Sequence, residues 1–357
     1  MSGERTLFVI GAGCSRNFDT STNGISDLSC PTNSDFFRMA RIALMHSTIE
    51  RYSQTMIKEL FIRLCEERGL HFDARYEFLK DTTFNDLEEV MSLIDIEDSL
   101  FGKRAMVRNY NESYKILIEL IAFTITRALD GPECPLHKQL ASLIKNDDVI
   151  IDFNYDLLMD EALKSAGKLN DFGYGINFSY IYDNDWKRPE GDQLDVNFFK
   201  LHGSLNWFKC MECASIFLFK NFHFPLHIFN LNYSAENLDC PICESGGESL
   251  IRLVLPPIQT KEYSIDPFRL LWRRGANKLK EITRIAFLGY SFGTTDFAMR
   301  GLLRSLNAKN KISDMDIRFM NKTSKAEERF KLIFPKIRTP TRTTNLKEFI
   351  EKYPSWS

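Results

Sequence analysis

The sequence predicts an α/β fold built on a doubly wound parallel sheet, and three observations predict it. Short apolar runs of β type recur along the chain with helical segments between them. Most of these runs end in glycine or in small polar residues, the usual composition of loops at the carboxyl edge of such a sheet. Two Cys-x-x-Cys pairs interrupt the pattern and add a metal-binding module to it.

The elements follow in order. Thr6 to Ile10 is a short strand that runs into Gly11-Ala12-Gly13-Cys14-Ser15. A loop rich in Ser, Thr, Asn and Gly covers Thr20 to Ser34. From Asp35 to Leu143 the pattern is mostly helical. Phe36, Phe37, Ala40, Ile42 and Ala43 form a stripe, and Asn85 with Glu88 resembles a capping box. Val149-Ile150-Ile151 restores the β pattern and ends at Asp152-Phe153-Asn154-Tyr155-Asp156, before a helix over Leu157 to Ala166. Asn197 to Leu201 is a strand leading to His202-Gly203. The stretch 207–250 reads as irregular, and Leu253 to Pro257 as a strand stopped by proline. A helix over Pro267 to Ile282 precedes the strand Arg284 to Leu288, which enters Gly289-Tyr290-Ser291-Phe292-Gly293. A helix follows Asp296, and the strand Asp316 to Met320 ends at Asn321.

Composition narrows the function classes. With 357 residues, 44% hydrophobic and 26% charged, the chain can bury a sizeable core and is not a disordered polymer. The net charge of −2 conceals an asymmetry: residues 261–357 carry 21 Lys and Arg against 10 Asp and Glu. Such a basic quarter suits a diphosphate, nucleic acid or an acidic partner, with Arg300, Arg304, Lys309 and Lys311 as candidate contacts, or simply a solvated face. Leu7 to Ile10 is too short for a signal peptide. Ile116 to Leu129, broken by Glu119 and Arg127, reads as a core helix rather than a membrane span. A soluble cytoplasmic protein is expected. The cysteines fit a reducing compartment better than a disulfide framework, with Cys14, Cys30, Cys65 and Cys134 scattered outside the two pairs.

Four constellations carry candidate chemistry. Gly11-Ala12-Gly13 after a strand lets backbone N–H groups approach a phosphate, or is a plain tight turn, since Arg16 stands where a third glycine would complete a dinucleotide fingerprint. Asn154-Tyr155-Asp156 places poor strand formers at a strand end, which marks a crevice or an Asx turn opening the next helix. His202 before Gly203 suits a general base, although a lone histidine is more often structural. Cys210, Cys213, Cys240 and Cys243 have the pairing of a closed, structural zinc site, the alternatives being free thiols or a redox pair. His223 and His227, separated by Pro225, are not placed on one helical face. His46, His71 and His137 are read as surface or core residues.

Taken in order, these motifs resemble the sirtuin family: Gly-Ala-Gly-x-Ser, Asn-x-Asp, His-Gly, two Cys-x-x-Cys pairs and a late Gly-x-Ser, over residues 6 to about 322. The wording Asn-Tyr-Asp-Leu-Leu with Glu161 downstream, Leu-His-Gly-Ser-Leu-Asn-Trp, and Gly-Tyr-Ser-Phe with Asp296 is similar to the divergent bacterial branch rather than to the protein deacylases. Asp152-Phe153 replaces the deacylase Thr-Gln. The Gly-Ile-Pro-Asp-Phe-Arg segment has only loose echoes at Gly24-Ile25-Ser26-Asp27 and Asp35-Phe36-Phe37-Arg38.

The resemblance implies a sirtuin-type Rossmann-like domain over 1–34 and 144–357, a helical insertion over 35–143 and a zinc module over 205–250. It implies an NAD⁺ glycohydrolase releasing nicotinamide and ADP-ribose, the effector of anti-phage defence by abortive infection. Such an effector is held off until a partner or an assembly change activates it. Asn154 would position the ribose or the water, His202 would act as base, and Asp156 would orient the pocket or stabilise positive charge. Gly11, Ala12, Gly13 and Ser15 would hold the diphosphate, and Gly289, Ser291, Asp296 and Asn321 would line the adenosine side. Implied partners are a homo-oligomer and a HerA-type ATPase, helicase or prokaryotic Argonaute, with no membrane and with nucleic acid as a further candidate. The competing readings are an NAD⁺-dependent deacylase and a non-catalytic sensor of NAD⁺ or ADP-ribose.

Overall fold

A strand buried on both faces needs no alternation of polar and apolar residues, and several segments of this chain have that character. The computed structural model describes residues 4–18, 24–46, 62, 86–101, 112–170, 173–191, 197–220, 239–244, 250–255, 258, 266–293, 296–310, 312–337 and 340–356. In chain order its strands are β1 (Arg5–Ile10), β2 (Val149–Asp152), β3 (Tyr180–Tyr182), β4 (Trp186–Lys187), β5 (Phe198–Lys200) and β6 (Gly203–Cys210). They continue with β7 (Ile216–Phe219), β8 (Leu250–Val254), β9 (Ile282–Leu288), β10 (Asp316–Met320) and β11 (Thr341–Thr343).

Six of these strands form a wholly parallel sheet in the order β11-β10-β9-β1-β2-β5. Numbered along the chain, these strands stand in the spatial order 6-5-4-1-2-3, the order of a Rossmann sheet. The chain leaves β1 towards β2 on one side and returns to β9 on the other, so the switch point lies between β1 and β9. Leu7, Phe8, Val9 and Ile10 are buried throughout, as are Val149, Ile150 and Ile151.

The helices are α1 (Ala12–Ser15), α2 (Phe36–Met45), α3 (Leu87–Phe101), α4 (Glu112–Ala128), α5 (Pro135–Leu143), α6 (Leu158–Ser165), α7 (Phe268–Lys278), α8 (Phe297–Asn310), α9 (Lys325–Ile333) and α10 (Leu346–Lys352). The sheet shares one core with α5, α6, α7, α8, α9 and α10 through residues such as Leu140, Leu163, Leu271, Leu303, Phe330 and Phe349. A second core joins α2, α3 and α4 to Leu205 and Val254 of a different sheet. The expected capping box falls partly on Asn85, outside the described residues. The cap in place is Asp86, whose carboxylate accepts the N–H of Glu88 at 2.9 Å.

The described residues of the segment read as irregular contribute strands to a second sheet, in the order β4-β3-β7-β6-β8. It already begins at Tyr180, ahead of the 205–250 range expected for the zinc module. Arg252 of β8 has a fully buried side chain and forms a bidentate pair with Glu119 of α4, with contacts at 2.8 and 3.0 Å. This pair explains the charge that interrupts the apolar helix. Glu119 is there to neutralise a guanidinium that has no access to water.

Gly289 has φ of +66°, and a Cβ on it would lie 2.1 Å from the amide nitrogen of Cys14 and 2.3 Å from the carbonyl carbon of Gly13. Gly24 has a similar φ of +68° but open space around it. Gly24→Ala therefore pays backbone strain alone, about 1 kcal/mol, whereas Gly289→Ala adds a collision with backbone and loses about 2–4 kcal/mol. Urea unfolding of the two variants measures the difference, and equal losses would contradict the close approach.

Candidate active site at the carboxyl edge of the parallel sheet

The Gly-rich loop after β1 and the loop after β9 are laced together by backbone. Gly11 N–H donates to the carbonyl of Leu288 at 3.0 Å, and Gly13 N–H donates to that of Gly289 at 3.1 Å. A Cβ on Gly11 would lie 2.8 Å from Tyr290 Cα, and one on Gly13 would lie 2.9 Å from Gly289 Cα. The amides of Gly11 and Gly13 are committed within the protein, and these glycines are required by loop-on-loop packing at the switch point. The Cys14 N–H donates to the Gly11 carbonyl at 2.8 Å and closes a tight turn at the start of α1.

Ser15, Asn154 and Asp156 come together beside that loop. The Ser15 hydroxyl donates to Asp156 Oδ2 at 2.6 Å and accepts from Asn154 Nδ2 at 2.9 Å. All three residues are buried. Asp156 Oδ1 also accepts the Leu158 N–H at 3.0 Å, so the Asx turn that opens α6 is present within the candidate site. Burial pushes the Asp156 carboxyl above the usual carboxylate range, opposed by Lys200 and by the Ser15 hydrogen bond. Behind the same loop, His137 sits buried between Cys14 and Cys134, with Nε2 3.7 Å from one sulfur and Nδ1 3.0 Å from the other. Burial lowers its pKa to about 4, which fits a neutral structural histidine.

Beneath these residues lies a charge network that sequence reasoning missed. Lys200, at the end of β5, has no solvent exposure. Its Nζ lies 2.9 Å from Asp160 Oδ2, donates to the Asp156 carbonyl and stands 3.7 Å from Asp152 Oδ2. Desolvation works against the ammonium, but Asp160, Asp152 and Asp156 together outweigh it and raise the Lys200 pKa. Asp152 is raised to about 8: burial dominates and the long contact to Lys200 only partly offsets it. Asp152 Oδ1 in turn accepts the backbone N–H of Asn154 at 2.9 Å.

The register of β2 with β5 sets Asp152 opposite Lys200. Asn154 and His202 each lie two residues further on, in the loops that leave these neighbouring parallel strands. Phe153 lies against the imidazole of His202, ring centroids 4.7 Å apart in an edge contact, and stacks on Tyr290 at 4.9 Å. His202 Nε2 is 3.7 Å from Asp296 Oδ1, and the Tyr290 hydroxyl donates to Asp296 Oδ2 at 2.9 Å. The Asp296 carboxylate, expected to line the adenosine side with Ser291 and Asn321, thus faces the histidine. Ser291 is exposed, its carbonyl accepting from Arg329 at 2.9 Å, and Asn321 Nδ2 donates to the Tyr290 carbonyl at 3.4 Å. These two residues sit beyond Gly289, on the β9 and β10 side of the switch point.

The four cysteines form a separate cluster on the second sheet. One ligand atom from each of Cys210, Cys213, Cys240 and Cys243 lies within 4.8 Å of all the others. Two sulfur pairs, Cys210–Cys243 and Cys213–Cys240, are 3.6 Å apart. A tetrahedron with metal–sulfur bonds of about 2.3 Å requires sulfurs about 3.8 Å apart, so the cluster could hold a zinc ion. The residue after each knuckle, Ala214 and Glu244, has a positive φ of 58° and 54°. Both knuckles thus turn in the same left-handed way although neither has glycine there. A cavity of about 530 Å³ lies next to this cluster, bounded in part by Tyr180, Arg188, Pro241 and Ile242, and includes none of the strand-end residues. His71, His223, His227 and Cys65 lie outside the described residues.

No protein-family description matches the sequence, and no curated protein matches it either. Among solved structures, the chain is similar to a Sir2 homologue, a serine-to-alanine mutant in complex with ADP-ribose. The identity is 14% and the TM-score 0.43, over 100% of this chain and 95% of that one. The α/β assignment rests on the parallel strand order and not on that likeness. Among the described residues no helix is long and apolar enough to cross a membrane.

The raised pKa of Asp152 has a consequence for stability. Its folded-state value of about 8 exceeds the ordinary 3.8, so the stability it contributes is full below about pH 4 and is lost as pH rises through about 8. Asp152→Asn mimics the protonated carboxyl and can still accept the Asn154 N–H. The stability of the variant relative to the parent should therefore rise between about pH 4 and pH 8 and level off above, as urea midpoints at each pH will reveal. A difference independent of pH would exclude a protonated Asp152.

Proposed function

We propose that this protein is an NAD⁺ glycohydrolase whose reacting ribose binds over Asn154 and His202. One observation supports the reading above the rest: the loops bearing these residues leave paired strands at the same edge of a Rossmann-order sheet, and Phe153, next to Asn154, lies against the His202 ring. Water and NAD⁺ give nicotinamide, ADP-ribose and a proton. The C–N bond to nicotinamide breaks with its electron pair leaving on the nicotinamide nitrogen, and the ribose carbon gains oxocarbenium character. His202 accepts the proton of the attacking water, a form of general-base catalysis worth on the order of 10²–10⁴ in rate. Asn154, held by Ser15, positions the ribose hydroxyls or the water, and Asp156, held by the same serine, fixes that arrangement.

The finer reading is that of an effector in anti-phage defence, kept inactive until a partner or an assembly change releases it. It follows from the motif wording described above and from the cost to a cell of unregulated NAD⁺ loss. A helical insertion over 35–143 is then the natural surface for oligomer or partner contacts. The proposal is tested by following nicotinamide release from NAD⁺ with purified protein, alone and with candidate partners. Asn154→Ala and His202→Ala should each lower turnover by about 10²-fold or more. Full activity in both variants would remove the assignment, and release only in the presence of an acyl-lysine peptide would favour a deacylase.

We further propose that Cys210, Cys213, Cys240 and Cys243 hold a structural zinc, which supplies folding energy and leaves no position open for substrate. Metal analysis should return one zinc per chain, and Cys210→Ser should lose it with a fall in melting temperature. Full stability without bound metal would show that the cluster is not a zinc site.

A further inference from the structure

We propose that Asp296 is the positioning carboxylate of His202, anchored by the hydroxyl of Tyr290, so that three residues from two crossovers orient one imidazole. The inference rests on the reading of His202 as the base, and it assigns Asp296 a role that its place in the sequence does not suggest. A general base needs a fixed ring orientation and tautomer, and a carboxylate on one ring nitrogen supplies both while raising the affinity of the ring for a proton. Asp296 stands where such a carboxylate must stand. Its Oδ1 faces His202 Nε2 at 3.7 Å, and such contacts commonly tighten when substrate closes the site. Its Oδ2 is fixed by the Tyr290 hydroxyl at 2.9 Å. Tyr290 is in turn stacked on Phe153, and Phe153 packs edge-on to the imidazole, so the three rings and the carboxylate form a closed circuit.

The other charged groups around this circuit are identifiable. Glu88 of α3 approaches Gly293: a Cβ built there would lie 3.6 Å from Glu88 Oε2 and 3.3 Å from Asp296 Oδ2. Asn33 donates to the Glu88 carboxylate at 3.2 Å. Arg300, one turn into α8, donates to the Gly293 carbonyl at 3.3 Å, and Arg329 donates to the carbonyls of Ser291 and Phe292. The backbone of His202 is pinned from the second sheet by the Leu255 N–H at 2.7 Å. Of these groups, Asp296 is the one whose oxygen contacts the imidazole nitrogen in an ion-pair geometry. Glu88 adds negative charge behind Asp296, and Arg300 and Arg329 engage the backbone of the same loop.

The decisive measurement is the titration of the His202 ring by NMR in the full-length protein, its signal assigned by loss in His202→Gln. In Asp296→Asn the midpoint should fall by about one pH unit. Tyr290→Phe, which keeps the ring stack and removes only the hydroxyl, should produce a smaller fall. A midpoint unchanged in a folded Asp296→Asn protein overturns the inference, whatever its effect on turnover. Kinetics provide a second, separable readout. Asp296→Asn should lower kcat about 10- to 100-fold with little change in KM, and should move the acid limb of the pH profile downwards. A raised KM with kcat retained would instead make Asp296 a substrate-binding group and overturn its positioning role. If the midpoint moves but NAD⁺ is never cleaved, the positioning role stands and the NAD⁺ reading falls. If NAD⁺ is cleaved and the midpoint does not move, the reverse holds.

Discussion

A lysine without access to water cannot remain charged unless the protein surrounds it with compensating groups, and Lys200 sets that constraint on the whole carboxyl edge. Its closest partners come from the loop after β2 and from the helix that follows: the carbonyl of Asp156 and the carboxylate of Asp160. The ammonium therefore ties the strand end bearing Asn154 to the strand end bearing His202. Removing one member of a buried pair commonly costs about 3–5 kcal/mol, more than most single contacts in a core contribute. Such a tie holds two loops in register more firmly than apolar packing alone, because a shift of either loop strands a charge.

The same edge shows how glycine serves a sheet of this order. Parallel strands β1 and β9 lie side by side, so the loops that leave them must pass each other at the switch point. Gly11, Gly13 and Gly289 allow the passage, and two backbone hydrogen bonds seal it. A glycine motif can thus be demanded by topology before any ligand is considered. The loop still matters to the site, because it delivers Ser15 to Asn154 and Asp156, where one hydroxyl serves both side chains.

Much of this was legible in the sequence, for physical reasons that differ from element to element. The parallel strands stood out because burial on both faces makes them continuous apolar runs ending in polar loops, as in Val149–Asp152. The four cysteines were legible because chelation fixes their spacing locally. The second sheet was not. Gly203–Cys210 is buried on both faces but contains Asn206 and Lys209, and Ile216–Phe219 is only four residues long, so neither shows a clean period. The contact of Asp296 with His202 was equally hidden, since nothing local links residues 94 positions apart. The available hint was Tyr290, six residues before Asp296, an aromatic hydroxyl in a loop that otherwise favours small residues. Lys200 offered a stronger signal that went unused: a lysine inside the apolar run Phe198-Phe199-Lys200-Leu201 must be buried and must therefore have acidic partners.

The helices between the first two glycine- and asparagine-bearing loops belong physically to the second sheet as much as to the first. Their core includes Leu205 and Val254, and the fully buried Arg252 is neutralised by Glu119 of α4. Arg252 also lies over the ring of Phe208, 4.9 Å from its centroid, and donates to the Leu205 carbonyl. Leu205 N–H bonds the carbonyl of Tyr155, and the Tyr155 hydroxyl bonds the carbonyl of Leu255. A continuous set of hydrogen bonds therefore runs from α4 through β8 and β6 to the residue between Asn154 and Asp156. Each link is a short polar contact with at least one partly or fully buried partner, and a displaced helix would have to break it. The helical segment is thus joined to the loop that holds the candidate site through bonded groups rather than through solvent.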